Sequence, residues 1–361
     1  MIRALDSASG TARLKRLRKD YFGSAGTTVM TITSVAIFVL VFWKLFDWAV
    51  LNATFAADGN QQLCSSQSGA CWSVIAARWR VILFGIYPYE EQWRSALACG
   101  AVMVVMVLSC IPRLWGFGKL ALIWGLGTLV FYTLMRGGVL GLSIVNEQQW
   151  GGLPLTLFIF VATAVIGMPL AIALALLRRS EMPVVARVTG WIIDTVRSLP
   201  LLSILFTCAI VMPFMLPGFL IGEKLYRVLF GAALFFAAYQ AEIIRGGFQG
   251  IPQGQEEAAK ALGLSYWQRI GRIVLPQAFR LSLPATINQF VIAFMESSLF
   301  VVVGFVELLA AGNIAFKTGE WKFAYTEVYA FVAVIYFAFV FGLSRYGAYL
   351  EERMNVGQRK D

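Results

Sequence analysis

An all-α polytopic membrane protein is the fold class that this chain predicts, on three observations. Hydrophobic residues make up 59% of its 361 residues and charged residues only 14%, whereas a soluble domain sits nearer one half and one quarter. Its mean hydropathy is +0.71. The apolar residues also gather into runs close to the roughly 20 residues that cross a hydrocarbon core. No soluble core could bury this much apolar surface, so lipid is the solvent for most of the chain.

By that measure eight spans are expected, at 27–48, 95–112, 119–136, 152–177, 188–214, 226–243, 281–305 and 324–346. Arg3, Arg13, Lys15, Arg16, Arg18 and Lys19 precede the first run. That run continues through Leu40, Phe42, Trp43 and Leu45, longer than the apolar region of a signal peptide. It reads as a retained anchor behind a cytoplasmic, lipid-facing basic arm. The second span is short and is compatible with an interfacial hairpin. The outer loop before it carries Cys64 and Cys71 and ends in Tyr87, Pro88, Tyr89, Trp93 and Arg94. These aromatics read as an interfacial belt. On an oxidising side the two cysteines form a disulfide or stay as two thiols, and the sequence leaves both open. Cys99, Cys110 and Cys208 lie in apolar runs and read as filler.

Charge fixes the expected orientation. With both termini cytoplasmic, 20 of the 30 Lys and Arg residues fall in inner segments, as the positive-inside rule requires. The formal charge of +10 is spread between apolar runs and does not form a nucleic-acid-binding domain. The chain has no histidine, and its five cysteines show no CxxC spacing. A metal site and a catalytic centre are therefore not expected. No GxxxxGK[ST] motif occurs, and Gly218 to Lys224 has the wrong spacing, so the chain cannot cradle nucleotide phosphates by that route.

The segment from Gln255 to Pro276 is a polar, basic insertion between two greasy runs. Gln255 to Leu262 are helix formers, and Gly263 is a natural stop. Tyr266 to Val274 is helix-compatible again, and Leu275-Pro276 is expected to break it before the next span. Two short helices with a glycine between them predict a compact knob. Small Ala258 and Ala259 would admit a partner closely, and Glu257 offers it a carboxylate.

The spacing Glu257-Ala258-Ala259, Gly263, then Ile273, Leu275 and Pro276 resembles the EAA loop of permease subunits in binding-protein-dependent ABC importers. Tyr239 to Gly247, Ile251 to Gln255 and Pro276-Gln277-Ala278 look similar to polar amino-acid permeases. The resemblance covers roughly 150–350 and implies a five-helix permease core there. The core has a coupling loop at 246–277, follows a three-helix extension within 1–149 and precedes a tail at 351–361. It also implies that the loop, with Glu257 as contact and Gly263 as hinge, seats in a cytoplasmic ABC ATPase dimer. ATP-Mg would then bind that partner, with no cofactor on this chain. Further implied partners are a second, different permease and a periplasmic amino-acid-binding protein, in a bacterial inner membrane. The outer loop and extension look like the longer permeases of general or glutamate/glutamine/aspartate/asparagine systems.

Ionisable groups within spans need a reason. Asp194 and Arg197 precede Pro200 and are expected to pair locally, while Pro200 bends the helix to line a cavity. Glu242 and Arg245 are three apart, which suits a helix ion pair or a gating pair. Gly246 and Gly250 give a small-xxx-small spacing for helix contact. Gln289 and Glu296 share one helical face, with Ser297 and Ser298 beside the acid. Many relatives look like K-D-T-S-L where this chain has Met295-Glu296-Ser297-Ser298-Leu299. Arg197, Gln289, Glu296, Ser297 and Ser298 are the candidate substrate pathway, with interhelical hydrogen bonding as the alternative for Glu296. An ion-coupled secondary transporter using Glu296 and Glu242 is the rival reading.

Overall fold

The computed structural model describes residues 15, 17–55, 64 and 68–355. Most of the expected basic arm and the tail at 356–361 lie outside the described residues. Packing divides the chain into two compact units, Met1–Ala77 and Arg78–Asp361, upstream of the change in composition at 149/150.

In the first unit α1 spans Ala25–Phe46 and winds on as a π turn to Leu51. Ser24 starts it with a reciprocal capping box to Thr27, which satisfies two otherwise orphaned backbone donors. None of its residues is buried, as expected of a helix whose solvent is lipid. After it the chain folds back on itself. Trp72 donates its indole N–H to the carbonyl of Ala49 at 2.8 Å, and Cys64 and Cys71 are disulfide-bonded with their Cα atoms 5.4 Å apart.

The second unit is built around α5 (Gly152–Arg178) and α8 (Lys224–Gln249). Its other helices are α3 (Gln92–Ser109), α4 (Phe117–Arg136), α6 (Pro183–Ser198), α7 (Leu201–Phe206, wound on to Met215), α11 (Leu275–Glu296) and α13 (Tyr325–Asn355). One end of the core is aromatic, with Phe131 stacked on Phe158 and Trp150 edge-on to it. Half of the buried residues at the other end are alanines: Ala171, Ala175, Ala237, Ala238, Ala241 and Ala278. In lipid, apolar helices gain nothing by hiding from water, and small side chains that let backbones approach hold them instead. Gly247 of α8 lies directly against the backbone of Ala278 in α11, where a Cβ would collide. This residue makes the close approach; Gly246, expected in that role, has open space around it.

Seven helices are long and apolar enough to span, or up to eight when one bent pair is taken as a span. The bent pair is the expected fifth span. It breaks by 101° between α6 and α7, because Pro200 forces Leu199 into an extended conformation (φ −93°, ψ 141°). The seventh span is longer than expected, Tyr266–Val303. Pro276 does not break it, since the π turn Ile270–Val274 loosens the helix just ahead of a residue that lacks an N–H.

Two further helices were not expected from the sequence. The first, α2 (Ser73–Phe84), lies in the connection between the first two expected spans. The second, α12 (Leu308–Lys317), is too short to span.

Candidate functional site: a knob, a charged cluster and a polar helix end

Between α8 and α11 the chain forms a knob, although its second helix runs unbroken into the seventh span and is not the separate short helix expected. The knob consists of α9 (Gln253–Ala261) and α10 (Tyr266–Arg269). Gly263 closes α9 at φ +72°. The Leu264 N–H bonds the Ala259 carbonyl at 3.2 Å and the Gly263 N–H bonds the Lys260 carbonyl at 3.0 Å. This paired arrangement needs a residue that tolerates left-handed backbone. Ser265 then caps α10 through a reciprocal box with Gln268. Both halves of the knob are thus fixed by local chemistry.

Its outward face carries Glu257, Ala258, Leu262 and Trp267, all exposed; Leu262 is 80% and Trp267 73% exposed. Ala259 departs from expectation, because it is buried and is not on the exposed face. Its carbonyl takes part in the Gly263 turn. Ile273 and Leu275 are half-buried where the knob joins α11, and Pro276 is exposed.

A charged cluster lies at the same end of the helices. Glu242 on α8 faces three arginines: Arg178 at 2.7 Å, Arg245 at 2.8 Å and Arg197 at 3.6 Å. Arg178 also pairs with Asp194 at 3.1 Å. The Glu242–Arg245 pair forms as expected, but Asp194 and Arg197 turn to different partners. Arg197 sits in the last turn of α6 and reaches across to α8, where its guanidinium lies 5.2 Å from the Tyr239 ring. The neighbouring Arg179 is ion-paired with Glu256 of the knob. Consecutive helix residues point about 100° apart, so one helix end holds both the cluster and the knob.

The polar group on α11 is separate. Gln289 and Ser297 are buried and Glu296 is half-buried. The serine hydroxyls donate back to their own helix, Ser297 to the Phe294 carbonyl at 2.6 Å and Ser298 to the Met295 carbonyl at 2.8 Å. They keep only acceptor capacity for a ligand. At Ser297 the helix tightens to 3-10 geometry and ends at Gly304. No hydrogen bond or ion pair joins this group to the Glu242 cluster among the described residues.

Sequence reasoning missed three buried acids, Glu147, Glu307 and Glu327. Glu307 is fully buried and caps α12, accepting the N–H of Leu309 at 2.8 Å and of Ala310 at 2.9 Å, and the Tyr336 hydroxyl at 3.0 Å. Its only signal was a carboxylate immediately before a helix-forming apolar run. Glu147, in the connection between α4 and α5, accepts the Tyr226 hydroxyl at 2.6 Å and pairs with Arg136 at 3.1 Å. Burial alone would raise its carboxyl, but hydrogen bonds from Tyr226 and from its own backbone, with the Arg136 charge, hold it below its ordinary value.

Residues 167–356 match the family described as "Binding-protein-dependent transport system inner membrane component". The chain is 36% identical, over 95% of its length and 93% of the relative's, to the inner membrane amino-acid ABC transporter permease protein YhdY of Escherichia coli K12. It is 31% identical, over 97% and 96%, to the glutamate/glutamine/aspartate/asparagine transport system permease protein BztC of Rhodobacter capsulatus. It is 33% identical, over 56% of this chain and 91% of the relative, to the glutamate/aspartate import permease protein GltK of Escherichia coli O6:H1. The two long relatives extend through the α1–α4 region as well as the core. The chain belongs to the family of inner membrane components of binding-protein-dependent transport systems.

Proposed function

We propose that this chain imports polar amino acids as one of two different permease subunits of an ABC importer. The substrate comes from a periplasmic binding protein, and both termini are cytoplasmic. A separate ATPase dimer binds and hydrolyses ATP-Mg and pushes on the α9–α10 knob. The knob's exposed face carries this reading: Glu257 and Ala258 flanked by bare Leu262 and Trp267. Two large apolar side chains held in water on a rigid turn suit the centre of an interface.

Force applied to the knob reaches α5 through Arg179–Glu256. At the same helix end Arg178 grips Glu242 and Asp194. A shift of the knob therefore strains the contacts between α5, α6 and α8 together. In the membrane Gln289 supplies a polar contact for a zwitterion and Glu296 meets its ammonium group, while Arg197, paired with Glu242, belongs to a separate part of the pathway nearer the knob. Met295 adds no positive charge beside Glu296, which favours neutral polar side chains over acidic ones. The amino-acid names of the long relatives support this cargo class.

Purification from native membranes through a tag on this chain should bring down an ATPase with a phosphate-binding loop. Glu257→Lys should abolish that association and amino-acid uptake while leaving the chain in the membrane. Uptake that persists in Glu257→Lys with no ATPase co-purifying would overturn the reading.

A further inference from the structure

Helices α3, α4, α5, α11 and α13 enclose an apolar groove of about 450 Å³, lined by Met103, Trp124, Phe160, Ile287, Phe290 and Tyr346 among others. It lies apart from the knob, the charged cluster and the Glu296 group. Met103 and Val107 on its rim are exposed, so it opens sideways into lipid. Along α13 it runs from Ala338 to Leu350, roughly 18 Å at 1.5 Å per residue. One leaflet of a hydrocarbon core is roughly 15 Å deep. The groove is thus about one leaflet long, on the side of the membrane that carries the knob.

The polar atoms lining it are already engaged. Ser109 accepts the indole N–H of Trp124 on its hydroxyl at 3.1 Å, and its carbonyl accepts Trp115 at 3.0 Å and the Tyr346 hydroxyl at 2.9 Å. A polar ligand would therefore find few partners inside. Just beyond Ser109 the surroundings turn basic. Arg113 and Lys119 are exposed on the α3–α4 turn, and the Arg353 guanidinium of α13 lies 5.6 Å from the Trp115 ring. Glu351 and Glu352 share that last turn of α13, but neither is ion-paired to these three cations among the described residues.

We propose that the groove holds one acyl chain of an anionic phospholipid, whose headgroup phosphate is met by Arg113, Lys119 and Arg353. The lipid wedges the extension helices α3 and α4 against the core helices α11 and α13. The depth of the groove selects a single leaflet, and the charge at its mouth selects the headgroup.

The test uses the full-length chain purified in mild detergent, with phosphatidylglycerol and phosphatidylcholine as probes. Lipid retention is read by native mass spectrometry and stabilisation by the thermal midpoint. The wild-type chain should retain and be stabilised by phosphatidylglycerol in preference to phosphatidylcholine. Each of Arg113→Gln, Lys119→Gln and Arg353→Gln should reduce that preference about fivefold. Gly342→Phe should abolish retention of both lipids, since a side chain added at Gly342 meets open space in the groove. Val107→Trp, on the exposed rim, repeats the block without touching the interior should the first variant fold poorly. Equal retention of both lipids by the wild-type chain would overturn the proposal. So would unchanged phosphatidylglycerol retention in both blocking variants, or cross-linking of Gly342→Cys to a helix of another subunit in native membranes.

Discussion

Glu242→Gln tests whether the charged cluster is organised around one carboxylate. The glutamate side chain is 11% exposed, while Arg178, Arg197 and Arg245 around it are 22%, 35% and 37% exposed. Removing its charge leaves three guanidinium groups facing one another, with Asp194 alone to offset them. Breaking a fully buried pair costs about 3–5 kcal/mol. Solvent screening of the half-open arginines lowers that to about 2–3 kcal/mol. Removing any one arginine leaves Glu242 with two others, so Arg178→Met or Arg245→Met should cost only about 1 kcal/mol. Thermal unfolding of the purified chain in detergent at low salt would show a fall of about 4–8 °C for Glu242→Gln. Each arginine variant should show a smaller fall. Salt should reduce the cost of Glu242→Gln only in part, because the pairs on its inner side are shielded from ions. A Glu242→Gln variant no less stable than Arg178→Met would refute the single-carboxylate organisation.

Two other perturbations have definite outcomes. Glu307→Leu strips the acceptors from the Leu309 and Ala310 N–H groups and the Tyr336 hydroxyl, which should cost about 3–5 kcal/mol by thermal unfolding. Tyr336→Phe removes one donor only, should cost about 1 kcal/mol, and should be nearly silent in the Glu307→Leu background. For Glu147 the folded carboxyl sits below its ordinary 4.5, so below that pH the unfolded chain takes up protons first. Its contribution to stability is present above that value and is lost as pH falls through the folded pKa. Glu147→Gln should flatten the acid side of a stability–pH profile, and an unchanged acid limb would show that the Tyr226 and Arg136 contacts carry no net stabilisation.

The features legible in the sequence are those set by runs and by local spacing. Apolar length predicted the spans because each helix satisfies its own backbone in lipid regardless of its neighbours. The turn at Gly263 was legible because a helix stop followed by a capping serine is decided within a few residues. The polar partners were not legible, because they depend on which helices meet. Asp194 and Arg197 are three apart on one helix, yet in the structure each finds its counter-charge on another helix, Asp194 at Arg178 and Arg197 at Glu242. Arg178 and Arg179 stand side by side at the end of α5. Their adjacency matters only because α8 passes on one side and the knob on the other. Pro276 shows the converse error, where a strong local rule was relaxed by a π turn just ahead of it. In a bilayer a charged side chain has so few possible partners that tertiary packing decides its role. The residues hardest to assign from sequence are therefore Arg178, Arg179, Asp194 and Arg197, whose partners lie on other helices.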